Sequence, residues 1–228
     1  MMRSQNLYTY AFLKTPDFPL TLPEGNIAPV ILINGANVSA IVELGISPAT
    51  YQNDDEQVIK MVLAHDRVIR ELFQQTTILP LRFGTHFHSQ ESLLNHIDDH
   101  AEEYLQKLKN LQNKDEYTLK LVPQVLAEPK QLAVGSGRDY FLAKKQYYEK
   151  QKIFNLDQNE QRNQLIDNIT EIYPSSVIVQ QQAEEFRLYF LIDRHEQAAL
   201  LAQVAVWQKA SPHWNLILGE PLPPYHFI

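Results

Sequence analysis

The residues best suited to chemistry are four histidines that lie close together in the sequence. His86 and His88 form a His-x-His pair, and His96 and His100 are four residues apart. Two histidines four apart on a helix share one face and can bind one metal ion, as in zinc enzymes. Because no glutamate follows His96, the zinc hydrolase pattern is incomplete. We expect surface or boundary histidines and keep a metal-dependent enzyme built on these four residues as the alternative.

Two further residues place polar groups in apolar surroundings. His65 lies on the apolar face of a predicted helix, which predicts a half-buried side chain whose polar atoms are satisfied. Arg82 itself lies within the apolar run Ile78–Phe83, where an unpaired charge would be costly. We expect its guanidinium to pair with an acid, to cap carbonyl groups or to meet a partner protein. Gly84 is expected in a turn conformation that residues with side chains avoid.

The remaining motifs give no catalytic arrangement. Gly135-Ser136-Gly137 precedes a predicted helix, but the Gly-x-x-x-x-Gly-Lys-Ser/Thr pattern of a phosphate loop is absent. The sequence also lacks the Gly-x-Ser-x-Gly elbow of serine hydrolases. We therefore expect a protein that is not an enzyme and that uses no cofactor.

Composition excludes several classes of function. The chain has 27 acidic and 20 basic residues, a net charge of −7, and no cysteine. The basic residues are scattered, and their densest group is predicted to form one solvated helix face: Lys144, Lys145, Lys150 and Lys152. Nucleic-acid binding, which needs a concentrated positive field, is therefore disfavoured. The absence of cysteine excludes disulfides, zinc ribbons and thiol chemistry.

The chain contains no predicted membrane segment. No apolar run approaches the roughly 20 residues that cross a bilayer. The first residues carry one charge and no apolar stretch behind it, so no signal peptide is apparent. The sequence predicts a cytoplasmic protein without membrane contact.

Alternating and periodic apolar residues predict an α+β domain over residues 1–113. Leu7–Leu13 is a predicted strand, and Val30–Ile33 and Val38–Leu44 form a hairpin around Asn34-Gly35-Ala36-Asn37. A helix is predicted over roughly 54–75 and a short edge strand at Ile78–Phe83. Ser89 can cap a second helix, whose apolar stripe continues to residue 111. The first helix has its own stripe: Val58, Val62, Ile69, Leu72 and Phe73.

A second domain is predicted over residues 114–228. Its elements follow the order β-α-β-β-α-β, the ferredoxin-like arrangement. The first strand is Tyr117–Leu121. The long helix that follows begins at a cap formed by Ser136 and Asp139 and is expected to break near Asn155–Asn159. Two strands, Ser176–Gln180 and Glu185–Ile192, a helix and a final strand complete the order. This order also leaves an RNA-binding module open, although the aromatic RNP1 pattern is missing.

The C-terminal tail is rich in proline and aromatic residues. Pro221 to Ile228 cannot form a central strand or a helix, so we expect an extended, polyproline-like segment. The tail either packs as a strap on its own domain or offers a contact surface, and we favour the strap. The candidate partner-binding residues are Arg82, Pro223, Pro224, Tyr225 and Phe227.

Three blocks of sequence resemble the gas vesicle accessory proteins GvpF and GvpL. The first joins His65 to Ile78–Phe87 and is similar to a helix-borne histidine followed by "vLPlRFGT.f". The second, Ser136–Lys145, is similar to "SGreYL..K", and the third, Gly219–Phe227, is similar to "GPwPPYsF". The blocks occur in the family's order and span roughly 65–227. Only the third departs clearly, since Glu220 and Leu222 replace the usual proline and tryptophan.

The resemblance implies a role in building gas vesicles, the protein-shelled flotation organelles of some prokaryotes. It also implies a structural role for His65, with a hydrogen bond to the Arg82 segment, rather than catalysis. It implies a non-enzymatic accessory protein, a minor vesicle component or an assembly factor, located at the gas vesicle in the cytoplasm. Its expected partners are the apolar shell subunit, whose aggregation it would limit during nucleation, and other gas vesicle proteins. Neither nucleic acid nor a membrane is an expected partner.

Overall fold

Short runs of β-branched and aromatic residues form two separate sheets. The computed structural model describes residues 6–47, 55–127, 137–174, 177–182 and 185–228. Within these ranges the chain divides into two units, Met1–Glu116 with Pro221–Ile228, and Tyr117–Glu220. The mixed helix-and-sheet class predicted from the sequence is confirmed. The domain boundary at 113–114 stays a prediction. The sequence prediction places residues 221–228 in the second domain, but they belong to the first unit.

The first unit contains a sheet in the order β2-β3-β1-β4, with β5 also paired to β1. All of these pairs are antiparallel, and β1 shifts register between Thr9 and Ala11. The predicted hairpin and the position of the proline-containing strand at the sheet edge are confirmed. The strands are β1 (Leu7–Lys14), β2 (Val30–Asn34), β3 (Val38–Leu44), β4 (Ile78–Pro80) and β5 (His86–Phe87).

Helices cover both faces of this sheet, which explains why β1 is buried along nearly its whole length. Helix α1 (Asp55–Phe73) packs on one face, where Ile69 and Leu72 are fully buried with Tyr8 and Tyr10. Helices α2 (Gln90–Asp99) and α3 (Ala101–Leu111) pack on the other face. Val62, predicted on the buried stripe of α1, is instead exposed. The cap of α2 is as predicted, since Ser89 accepts a hydrogen bond from the amide of Ser92.

The second predicted helix is interrupted, and a histidine side chain explains the break. Residues 89–111 form α2 and α3 rather than one helix, with His100 between them at φ −113° and ψ 11°. The Nδ1 atom of His100 donates to the carbonyl of His96 at 2.8 Å. In a continuous helix that carbonyl accepts from the backbone amide of His100. The side chain therefore takes the acceptor that the backbone would use, a competition that helix periodicity does not reveal.

A buried carboxylate holds the loop that precedes β2. Glu43, in β3, is fully buried and accepts four hydrogen bonds. Its Oε1 atom accepts from the amides of Ile27 and Ala28 at 2.5 and 2.7 Å, and its Oε2 atom accepts from Asn26 N and Tyr10 Oη at 2.9 and 2.5 Å. Burial and this hydrogen bond raise the pKa of Tyr10. Glu43 thus supplies the acceptors that the loop amides need away from water.

The second unit contains a sheet in the order β7-β8-β6-β9. Its core joins the sheet to α5 and to the second half of α4, with Trp207 stacked on Phe190 at 6.1 Å and donating to Asn168 Oδ1 at 2.9 Å. The elements are β6 (Lys114–Pro123), α4 (Gly137–Ile172), β7 (Val177–Gln182), β8 (Glu185–Asp193), α5 (Gln197–Ala210) and β9 (Trp214–Leu218).

Helix α4 is continuous, so the break predicted near Asn155–Asn159 is wrong. Asparagine costs well under 1 kcal/mol in a helix interior, about 0.7 at most. Anchoring offsets that cost, because Gln158 Nε2 donates to the carbonyls of Gln124 and His213 at 2.9 and 2.8 Å. The proposed cap residue Ser136 and the side chain of Asp139 lie outside the described residues. No helix in the described ranges is both long and apolar enough to span a membrane.

Candidate partner-binding site

The chain between β4 and β5 forms a turn at the edge of the first sheet. Thr9 N donates to the carbonyl of Thr85 at 2.9 Å, which ties the end of the turn to β1. The backbone amide and the hydroxyl of Thr85 both donate to the carbonyl of Arg82, at 3.1 and 2.7 Å. Gly84 has a φ of 87°, in the left-handed region, so the turn conformation predicted for it is confirmed.

The side chain of His65 connects this turn to strand β1. Its Nε2 atom lies 3.0 Å from the carbonyl of Leu81, and its Nδ1 atom lies 2.7 Å from the hydroxyl of Tyr8. Burial lowers the pKa of His65, so the ring is neutral at pH 7. Because a carbonyl can only accept, Nε2 carries the proton and Nδ1 accepts from Tyr8. The predicted structural hydrogen bond between His65 and the Arg82 segment is thus confirmed.

The two residues at the tip of the turn face opposite ways. Phe83 packs against the first core, with its ring centroid 5.8 Å from that of His65. Arg82 is exposed, and no acid or carbonyl among the described residues accepts from its guanidinium. The expectation that Arg82 lies inside a strand is wrong, since β4 ends at Pro80. The turn carries the charge into solvent, where it needs no internal partner.

The C-terminal tail is fastened to the first unit at Glu116. Leu222 and Glu116 exchange backbone hydrogen bonds of 2.8 and 2.9 Å. The fully buried carboxylate of Glu116 then accepts from His226 N at 2.8 Å and pairs with His226 Nδ1 at 2.7 Å. Burial is the largest influence on this carboxyl and raises its pKa. One acid therefore holds the tail through both its backbone and its side chain.

Tyr225 makes a second attachment and packs against the first core. Its hydroxyl donates to Asp66 Oδ1 at 2.5 Å, and burial together with that bond raises the pKa of Tyr225. The tail is extended only as far as the prolines. Tyr225 N bonds to the carbonyl of Pro223 at 2.8 Å and closes a tight turn. The sequence predicts an extended, polyproline-like tail, and this turn shows that the prediction is wrong beyond the prolines.

The candidate partner-binding residues thus differ in accessibility. Pro223 and Pro224 are buried, Tyr225 and Phe227 are half-buried, and Arg82 is exposed. Of the five, Arg82 is the residue best placed to meet another molecule. The tail packs as a strap, but on the first unit rather than on the C-terminal domain to which the sequence prediction assigned it.

A groove lies directly beside Arg82. It has a volume of about 310 Å³. Apolar residues of β1 and of the 79–81 segment line it, and Arg82 and Lys107 are its charged residues. The full lining is Phe12, Leu79, Pro80, Leu81, Arg82, Thr85, Tyr104, Lys107 and Ile228. Phe12 and Leu79 are nearly inaccessible to solvent, so they form a floor on which an apolar side chain could rest.

Sequence reasoning identified Arg82 but missed most of the groove. Phe12, Tyr104 and Ile228 come from distant parts of the chain, and each carries an apolar pattern that indicates burial rather than a site. The pairing of β4 with β1, the packing of α3 and the attachment of the tail to the first unit bring them together. No local sequence signal could have grouped them.

The four histidines of the metal hypothesis are engaged in other contacts. His86 Nδ1 donates to the carbonyl of Gly84 at 2.6 Å, and His96 Nε2 lies 2.8 Å from the hydroxyl of Tyr104. Desolvation and the neighbouring His100 lower the pKa of His96. In the portion of the chain that the structure describes, no three His, Cys, Asp or Glu side chains form a group able to hold a metal ion. The metal-dependent enzyme is therefore not supported.

Comparison with known proteins gives consistent matches. The family described as "Gas vesicle synthesis protein GvpL/GvpF" matches residues 6–228. Gas vesicle protein F from Streptomyces sp. (strain CB03234) is 24% identical over 182 residues, which cover 73% of this chain and 76% of that protein. The crystal structure of GvpF from Anabaena sp. PCC7120 matches with a TM-score of 0.69 at 16% identity, covering 98% of this chain and 96% of that one. GvpF from Microcystis aeruginosa matches with a TM-score of 0.68 at 16% identity, covering 97% and 98%.

Proposed function

Because the chain belongs to the GvpL/GvpF family of gas vesicle synthesis proteins, we propose that it is a non-enzymatic accessory protein of gas vesicle assembly. It binds the apolar shell subunit and limits its aggregation while a vesicle nucleates, either as an assembly factor or as a minor vesicle component. Its place is the gas vesicle in the cytoplasm, and neither nucleic acid nor a membrane is a partner.

The Arg82 groove is the part of the first unit that best supports this activity. A chaperone of an apolar protein needs an apolar recess that stays open in its own folded state. Phe12, Leu79, Pro80 and Leu81 provide such a recess, and its volume of about 310 Å³ can admit one or two apolar side chains. Arg82 adds an exposed cation that can bind a carboxylate or a carbonyl next to the buried side chain.

The second unit supports a ferredoxin-like assignment for the C-terminal domain. Its elements run β6-α4-β7-β8-α5-β9, and β6 lies between β8 and β9 in the sheet. That is the strand order of a split β-α-β arrangement. We propose this arrangement as the fold of the second unit.

An aggregation assay tests the function and its site together. The shell subunit is diluted from denaturant, and light scattering is followed with and without the protein. We expect scattering to fall as the protein approaches an equimolar ratio. Arg82→Glu combined with Ile228→Asp should abolish the effect, because both residues line the groove and are exposed.

The matched control changes the same residue classes elsewhere. Lys209→Glu combined with Leu201→Asp alters two exposed positions of α5 by the same charge and polarity. This control should still suppress aggregation. If the unmodified protein neither suppresses aggregation nor co-purifies with the shell subunit, the proposed function is wrong. If suppression occurs but both double variants retain it, the groove is not the binding site.

A further inference from the structure

The two halves of α4 have different surroundings. From residue 154 onward the helix joins the second core: the ring of Phe154 lies 4.2 Å from that of His213, and Leu165 and Ile169 are buried. Over residues 138–153, no side chain that the structure describes is buried. The first half of this 36-residue helix therefore contributes nothing to the core of its unit.

Aromatic residues and lysines alternate along one face of that first half. Phe141, Lys145, Tyr148 and Lys152 follow one another at intervals of four, three and four residues, which places them in one line along a helix. Phe141 is 71% exposed and Tyr148 is 55% exposed. Together with Lys144, whose ammonium lies 5.8 Å from the ring centroid of Tyr148, these residues form what we call the α4 stripe.

The stripe lies on a different side of α4 from the residues that contact the body of the unit. Successive residues of a helix are rotated by about 100°. On that geometry Phe141 and Tyr148 lie on average about 110–130° around the helix from Phe154, which contacts His213, and from Leu165, which is part of the core. The stripe thus presents exposed aromatic rings at its centre.

The charge of this region is opposite to that of the rest of the chain. Residues 138–153 contain five basic side chains and two acidic ones, a net of +3, within a protein whose net charge is −7. The basic residues are Arg138, Lys144, Lys145, Lys150 and Lys152, and the acidic ones are Asp139 and Glu149. A surface that combines aromatic anchors with this local charge complements an acidic partner with an apolar face.

The first half of α4 also lacks what normally stabilises a helix. Most helical stability in proteins comes from packing an apolar face rather than from intrinsic helix propensity. Exposing Phe141 and Tyr148 forgoes that stabilisation. A partner that covered the α4 stripe would supply it.

We propose that the α4 stripe is a docking surface for an acidic amphipathic helix of another protein. Phe141 and Tyr148, one heptad apart, pack between the apolar residues of the incoming helix, and Lys145 and Lys152 pair with carboxylates at its margins. A second copy of this chain is a poor occupant, because two stripes of the same positive charge would repel each other. The proposal does not depend on the Arg82 groove or on binding of the shell subunit.

Fluorescence anisotropy with a defined peptide tests the proposal on the full-length protein. The probe is a fluorescein-labelled helical peptide of three heptads, with leucine at the core positions and glutamate at most others. A peptide of the same composition in scrambled order is its control. We expect the amphipathic peptide to bind and the scrambled one to bind at least tenfold more weakly, because only the first presents a leucine face.

Variants then assign the contact. Phe141→Ala with Tyr148→Ala should weaken binding about tenfold or more, and Lys145→Glu with Lys152→Glu should weaken it and flatten its salt dependence. Lys209→Glu with Leu201→Ala on α5 should leave binding unchanged. All of these positions are exposed, and circular dichroism verifies that each variant is folded.

Four results would overturn the proposal. The scrambled peptide binds as well as the amphipathic one, which would indicate charge attraction alone. The aromatic double variant binds normally, which would place the contact elsewhere. Vesicles of phosphatidylcholine with phosphatidylserine, or a single-stranded RNA, displace the peptide at comparable concentrations, which would make the stripe a general anionic-surface site. The protein self-associates in sedimentation experiments and loses this on changing the stripe, which would make a second copy the occupant.

Discussion

Replacing Glu43 by glutamine is the sharpest test of how the first unit is held together. The substitution keeps the shape of the side chain and removes its charge. It also replaces one acceptor oxygen by an amide that can only donate. The two oxygens of Glu43 each accept two hydrogen bonds, from Ile27 N and Ala28 N on one and from Asn26 N and Tyr10 Oη on the other. Whichever way the new amide is oriented, two donors lose their acceptor.

The expected loss of stability follows from that count. A buried donor left without a partner costs about 1–3 kcal/mol. Two such donors at Glu43 give roughly 2–6 kcal/mol, similar to the ~3–5 kcal/mol of breaking a buried ion pair. Glu71→Gln is the matched control, since Glu71 is 45% exposed and pairs with Arg67 across one turn of α1. That surface pair should contribute no more than about 0.5 kcal/mol.

Urea unfolding followed by far-ultraviolet circular dichroism measures the loss. Tryptophan fluorescence serves as an internal control, because Trp207 and Trp214 both lie in the second unit and should not respond directly. Hydrogen exchange adds a local readout: the amides of residues 26–28 should exchange faster in the Glu43→Gln protein. A free energy of unfolding within about 0.5 kcal/mol of the original, with unchanged protection at those amides, would refute the reasoning.

Three further substitutions test other parts of the first unit. Gly84→Ala should cost about 1–2 kcal/mol, because alanine resists the left-handed conformation of the turn; an unchanged urea midpoint would contradict this. Ser89→Ala should cost about 1 kcal/mol by removing the cap of α2, with Ser89→Thr as the control that retains it. Burial raises the pKa of Glu116 above its ordinary 4.5, so folding favours its protonated form; this stabilisation is present below pH 4.5 and is lost as the pH rises. Compared with the Glu116→Gln variant, the original protein should therefore become less stable as the pH rises above 4.5. Urea unfolding at several pH values measures this difference in the free energy of unfolding, and a difference that stays constant with pH would contradict the expectation.

Local patterns predicted most of the secondary structure, for identifiable reasons. The hairpin of β2 and β3 combines two β-branched runs with a turn sequence, and the start of α2 has a serine at the cap. His65 and Gly84 could also be predicted, since a polar group on an apolar helix face needs a partner and a glycine after an apolar run indicates a turn. Each of these features depends on neighbours within a few residues.

The features that were missed depend on distant partners. Glu43 occupies a position in β3 that alternation alone assigns to solvent, and its burial follows from the loop amides that it binds. The sequence places Arg82 in a strand because it follows an apolar run, but the pairing of β4 with β1 ends at Pro80. The sequence predicts an extended tail because it cannot show that Tyr225 bonds to Asp66, which is 159 residues away in the chain. Nothing in the local sequence specifies such pairs.

The attachment of residues 221–228 to the first unit has a consequence during translation. The ribosome makes Asp66 and Glu116 early, but it must then synthesise residues 117–220 before their tail partners exist. At roughly 5–20 residues per second this takes on the order of ten seconds. The first unit therefore depends on contacts between residues that are far apart in the chain. It can be completed only after the second unit has been synthesised. Fragments that stall before residue 221 lack Tyr225 and leave the apolar surface that it covers open to solvent.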